Sequence, residues 1–143
     1  MLFSLGSILS RLFGQSDRYT YGDFSDVSPV EAVAGTFLLV SKERFKLVGG
    51  FDERFFMYME DTDLSHRMRL QNFRNYIDPA AGGIHHWGRG STARESTRMR
   101  YHHTSISRYA GKYFSILSRT LLRVMLTLNL GIRLVITRRR EQR

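Results

Sequence analysis

The stretch Phe55-Phe56-Met57-Tyr58-Met59-Glu60-Asp61-Thr62-Asp63-Leu64 changes character at its middle, from aromatic to acidic. Three carboxylates within four residues, at the start of a periodic segment, suit the positive end of a helix dipole. The spacing predicts a helix that opens at Glu60, sets Leu64 and Met68 on one face and finishes near Asn72. Two readings of the acids stand side by side. In one, Asp61 is the N-cap and Asp63 lies in the first turn. In the other, a carboxylate among apolar rings serves as a general base. A shared metal ion is a third use of Asp61 and Asp63, but helical residues two apart point roughly 200° away from each other. Both could hold one ion only if the helix began after Asp63.

Upstream, the apolar run Val33 to Val40, interrupted by Gly35 and Thr36, reads as a buried strand. A short helix is expected from Lys42 to Leu47, ending at Gly49-Gly50. Downstream, Phe73 to Ile77 alternates like a strand, Asp78-Pro79 turns the chain, and Gly83 to Trp87 reads as a second short strand. Gly88-Arg89-Gly90-Ser91 forms a flexible exit. Leu2, Leu5, Leu9 and Leu12 predict a short amphipathic helix, followed by a linker over residues 14–29.

From Thr92 onward the pattern is helical and basic, with a break expected near Gly111. The last helix aligns Leu117, Leu121, Met125, Leu128, Ile132 and Val135, with Arg119, Arg123, Arg133 and Arg140 on the other side.

The 143 residues carry a formal net charge of +9, and the excess is confined to one end. Residues 94–143 hold 12 Lys+Arg against 2 Asp+Glu, whereas residues 1–93 hold 10 against 11. A basic tail on a near-neutral body implies an anionic surface partner for the tail alone. Zero cysteines exclude a disulfide scaffold, a Cys-ligated metal and a cysteine nucleophile. The longest uncharged stretch of the tail, Val124 to Ile132, is too short for a transmembrane span. Met1 to Leu5 has no basic n-region, so the chain reads as cytosolic.

His85 and His86 sit where a strand end meets the glycine-rich exit, a position from which an imidazole reaches a ligand or metal. Adjacent strand residues face opposite sides, so at most one points into a site. Trp87 either stacks on a sugar or fills the core edge. His102 and His103, in the basic tail, read as part of a solvated face.

Four blocks in order then form a pattern. They are Val33-Ala34-Gly35-Thr36-Phe37-Leu38-Leu39-Val40, Val48-Gly49-Gly50-Phe51-Asp52-Glu53-Arg54-Phe55-Phe56, Met57-Tyr58-Met59-Glu60-Asp61-Thr62-Asp63-Leu64 and Ile84-His85-His86-Trp87-Gly88-Arg89-Gly90-Ser91. Together they resemble the second half of a family 2 glycosyltransferase domain of the rhamnosyltransferase-like branch. The resemblance implies an α/β fold: the C-terminal half of a GT-A type glycosyltransferase domain over residues 30–92, preceded by a short helix and linker over 1–29. Basic amphipathic helices over 93–143 follow it.

By that resemblance Asp61 is the general base of an inverting transfer from a nucleotide-sugar donor. Gly35, Glu60, Asp63 and Trp87 belong to the acceptor side. Gly35 lets the acceptor approach the backbone, Glu60 shapes its site, and Asp63 supports the helix start. A divalent cation, Mg or Mn, is implied, with His85 as its ligand here and His86 as second choice. The acceptor is a cell-envelope glycan or a lipid-linked sugar.

The family's first half holds the nucleotide and carries an acidic Asp-x-Asp motif, and nothing before Val33 matches either. Asp23 and Asp26, three apart in a loop, do not substitute for it. The expectation is therefore an acceptor and base half, inactive alone, with a non-catalytic membrane-surface or protein-binding remnant as the alternative. The tail's apolar stripe is as pronounced as its basic face, which suits an anionic membrane surface on the inner face of the cytoplasmic membrane. Nucleic acid is not the expected partner, because exposed leucines are a liability against a phosphate backbone.

Overall fold

Ser41 starts the first helix: its hydroxyl accepts from the Arg44 N–H at 3.2 Å, capping α1, Lys42–Leu47. Gly49 and Gly50 end it with φ of 81° and 70°, a left-handed pair in which the Gly50 N–H reaches back to the Phe45 carbonyl at 2.8 Å. Helix α2 runs Glu60–Leu70 and closes in the same manner at Asn72, whose φ is 60°. The Phe73 N–H there bonds the Met68 carbonyl at 3.0 Å.

The computed structural model of the chain describes residues 25–84 and 92–141, the last six by backbone only. The expected helix near the start, most of the linker, the end of the second short strand at residues 85–87 and the exit over 88–91 lie outside the described residues.

A two-stranded antiparallel sheet pairs β1, Ser28–Val30, with β2, Asn75–Ile77, in the register Ser28 with Ile77 and Val30 with Asn75. Asn75 ties this sheet to α2, donating through its side-chain amide to the Glu31 carbonyl at 3.0 Å and to the Ser65 carbonyl at 3.1 Å. Ser65 in turn accepts from the Val33 N–H at 3.2 Å.

The run Val33 to Val40 is not a buried strand. It forms a 3₁₀ turn at Gly35–Phe37, and Leu39 is 98% exposed. An apolar run becomes a strand only when a neighbouring strand accepts its backbone hydrogen bonds, and among the described residues β1 and β2 pair only with each other.

Helix α3, Glu95–Tyr113, and helix α4, Ile116–Glu141, form a hairpin joined at Phe114-Ser115. The break falls there because the Ser115 carbonyl accepts from the Arg119 N–H at 2.9 Å and its hydroxyl accepts from the Ser118 N–H at 3.4 Å. Gly111 stays inside α3, where a Cβ would lie 3.8 Å from Arg119 Cδ, in ordinary contact. His103 is buried rather than solvated. Its Nδ1 lies 2.8 Å from the Met99 carbonyl and its Nε2 3.2 Å from the Asn129 amide oxygen, which locks the two helices together.

Among the described residues the apolar core is small: Phe55, Leu64, Met68 and Ala110. The largest side chains that are wholly buried are polar, Asp63 and Ser65. Position in this fold is therefore set by hydrogen bonds and ion pairs more than by apolar volume.

Candidate active site

The acidic segment is delivered by a backbone conformation that side chains rarely adopt. Tyr58 and Met59, immediately before α2, both have φ of 67°. Left-handed backbone costs about 1–2 kcal/mol per non-glycine residue. Such conformations persist only where surrounding contacts over-determine them. Those contacts come from α3: Ser105 Oγ donates to the Met57 carbonyl at 2.7 Å, and the Tyr58 ring meets His102 edge-on at 5.2 Å. On the other side the Met59 carbonyl accepts the first helical bond of α2, from the Asp63 N–H at 2.8 Å.

The residue capping α2 is Met59, not Asp61, and no side chain performs the capping. Asp61 lies one residue inside the helix, and its carboxylate bridges the first turn of α2 and the 3₁₀ turn. Its Oδ2 accepts the Gly35 N–H at 2.8 Å, and its Oδ1 accepts the Thr62 N–H at 2.7 Å and the Thr62 hydroxyl at 3.3 Å. Gly35 and Asp61 are thus brought together by the 3₁₀ turn. A Cβ at Gly35 would stand 3.5 Å from Asp61 Cβ, in ordinary contact, so the glycine's contribution to this pair is its N–H. A carboxylate oxygen has two lone pairs. Among the described residues two donors converge on Oδ1 and one on Oδ2, leaving Oδ2 with a free acceptor position.

Glu60 is adjacent and half-buried, and its Oε2 is buried without a hydrogen-bond partner among the described residues. Burial pushes its carboxyl up from the ordinary value, and the neighbouring Asp61 charge acts in the same direction.

Asp63 is placed elsewhere and cannot touch an acceptor. It is 0% exposed, and its oxygens accept from Arg67 Nε, Lys112 Nζ and Tyr113 Oη, each at 2.7 Å. Burial alone pushes the Asp63 carboxyl up, but the hydrogen bonds from Lys112, Tyr113 and Arg67 outweigh it and hold it below the usual carboxylate range. Burial, with the Asp63 bond, pushes the Tyr113 phenol up to about 12. Lys112 also bonds Asp52 at 2.8 Å, and Asp52 is forked onto Arg54 at 2.8 and 2.6 Å. The Arg54 hydrogen bond holds the Asp52 carboxyl far below its ordinary value. Arg67 and Arg108 continue the network, donating to the Val48 and Arg54 carbonyls.

Asp63 is therefore the ionic bolt that fastens α2 to α3, and it fixes the rotation at which Asp61 faces Gly35. Lys112, Tyr113, Ser105 and Asp52 are the site's supporting residues that sequence reading does not assign. Asp63 and Lys112 are 49 residues apart, and no local spacing announces such a pair.

His85, its second choice His86, and Trp87 lie outside the described residues. Among the described residues no group of three or more His, Cys, Asp or Glu is placed to hold a metal ion. Asp63 is committed to three protein donors and α2 begins before Asp61, so the two aspartates share no ion. The described residues do not fit a metal centre.

Residues 22–118 match the family described as the N-terminal domain of galactosyltransferase. An N-acetylglucosaminyl-diphospho-decaprenol L-rhamnosyltransferase of Mycobacterium tuberculosis is 39% identical over 77 residues, which are 54% of this chain and 25% of that protein. The rhamnosyltransferase WbbL of Escherichia coli K12 is 37% identical over 83 residues, 58% of this chain and 31% of that protein. The matched stretch is thus between a quarter and a third of the length of these relatives. No solved structure matches the chain.

Proposed function

Since the chain belongs to the glycosyltransferase family that matches residues 22–118, we propose that it carries the acceptor side of an inverting sugar-transfer site with Asp61 as the base. The observation that carries this reading is the Asp61 carboxylate itself. It is held by Gly35 and Thr62 and keeps an acceptor position free on Oδ2.

In the proposed reaction Asp61 Oδ2 takes the proton of an acceptor hydroxyl. The acceptor oxygen forms its bond to the anomeric carbon of a nucleotide-activated sugar as the bond to the leaving phosphate oxygen breaks. The electron pair leaves with the nucleoside diphosphate, and the configuration inverts. A positioned base of this kind contributes about 10²–10⁴-fold. Glu60, beside the base and with an unpartnered buried oxygen, lines the acceptor position. When its carboxyl is protonated it donates to an acceptor oxygen.

The proposed acceptor is a lipid-linked sugar of cell-envelope glycan assembly; its lipid link is supported by the relative named for an N-acetylglucosaminyl-diphospho-decaprenol. Holding the donor is assigned to a segment beyond the matched stretch, which is 25% of that relative. Calorimetry with nucleotide sugars tests this division: the chain alone gives no binding heat, and tight donor binding would contradict it. Joined to a nucleotide-binding half, the chain transfers labelled sugar to a polyprenyl-diphosphate-linked acceptor.

A further inference from the structure

Helix α4 is apolar on two sides, and among the described residues only one of them is covered. Asn129, which meets His103, marks the side packed on α3, and Leu122 and Leu126 share that side and are half-buried. On the opposite side Leu117, Leu121, Val124, Leu128, Ile132 and Val135 are between 52% and 78% exposed. Val124 stands in the stripe where sequence spacing places Met125, which is half-buried.

The stripe advances 18 residues from Leu117 to Val135, which is five turns at 3.6 residues per turn and about 27 Å of helix. No helix among the described residues is long and apolar enough to cross a membrane, so an apolar face of this kind lies along a bilayer rather than through it.

Charge selects the surface. Residues 94–143 carry 12 basic and 2 acidic residues, and Arg138, Arg139 and Arg140 close α4. A second copy of this chain would bring the same excess against itself, whereas an anionic headgroup layer complements it.

We propose that α4 is an interfacial helix that seats the exposed stripe in the headgroup layer of an anionic bilayer. The proposal stands on the stripe and its charge and does not depend on the catalytic reading. Its consequence for the site is mechanical. Helix α4 is locked to α3 through His103, and α3 holds the Met57 carbonyl and Asp63 through Ser105, Lys112 and Tyr113. A bilayer that binds α4 thereby sets the height of Asp61 above the headgroups.

The test is flotation of the full chain with phosphatidylcholine vesicles, with and without about 30% phosphatidylglycerol, at about 50 and 500 mM NaCl. The expected result is flotation with the anionic vesicles that falls at least tenfold at high salt. The double variant Leu121→Glu/Leu128→Glu, exposed positions whose change leaves the circular dichroism intact, falls at least tenfold as well. Equal flotation of the variant overturns the proposal, as does equal binding to neutral vesicles. Absence of flotation overturns it whatever the oligomeric state, and a concentration-dependent dimer in sedimentation then assigns the stripe to a second copy.

Discussion

The Gly35 N–H and the Asp61 carboxylate meet at 2.8 Å across 26 residues of chain, joining a 3₁₀ turn to the first turn of α2. This bond separates two uses of a glycine, as a small residue and as a donor. A Cβ is accommodated there, so Gly35→Ala changes stability by less than about 1 kcal/mol, the range of sites without strain or a lost partner. Gly35→Pro removes the N–H and frees Asp61 to rotate. Transfer activity then falls at least tenfold in a protein whose circular dichroism is unchanged. Equal activity of the proline and alanine variants would show that the N–H does not orient the base.

Asp63 is the position whose loss the fold feels most. Asp63→Asn leaves Arg67 and Lys112 with a neutral partner in a buried setting, and removal of one member of such a set costs about 3–5 kcal/mol. Chemical denaturation reads this directly. A loss below 1 kcal/mol would place the α2–α3 bolt elsewhere.

The acids give opposite pH signatures. Asp63 and Asp52 are held below their ordinary values, so the stability they add is present above the unfolded carboxylate range near pH 4. It is lost as pH falls through the lower folded values. Glu60 is raised, so its contribution runs the other way: the folded state holds the proton more tightly, and stability declines as pH rises through its window. Glu60→Gln is therefore more stable than the parent at pH 7, and the two converge in acid. Denaturation curves at pH 7, 4 and 3 check both signs.

Ser105 restrains the left-handed pair Tyr58 and Met59 through the Met57 carbonyl. Ser105→Ala costs about 1 kcal/mol, the net value of one hydrogen bond. It also speeds amide exchange at Asp63, whose N–H bonds Met59. Unchanged exchange there would mean that α3 does not hold the loop.

Local features were legible in the sequence wherever one residue type has one conformational use. The Gly49-Gly50 pair ends α1, and the acidic first turn with Leu64 and Met68 marks α2, because caps and helical period act over a few residues. Val33 to Val40 was misleading for a physical reason: an apolar run states that burial is favourable but not that a strand stands beside it. The start of α2 at Glu60 was legible, but the left-handed backbone that leads into it was hidden, because Tyr58 and Met59 are not residues that announce it. Gly35, Glu60 and Asp61 were legible as a set through the resemblance. The role of Asp63 was not, because its partners Lys112 and Tyr113 arrive from α3, and a buried ion pair leaves no periodic trace.

The role of Asp61 as the proton acceptor is tested most directly by kcat of the Asp61→Asn variant. The measurement uses the chain joined to a nucleotide-binding half, with a polyprenyl-diphosphate-linked sugar as acceptor. Asparagine keeps an oxygen for the Gly35 N–H but cannot take the proton. The predicted result is a kcat at least about 100-fold lower with acceptor KM unchanged, in a variant that stays folded at assay temperature although its amide NH2 now faces the Thr62 donors. A variant that retains parental kcat would contradict the assignment.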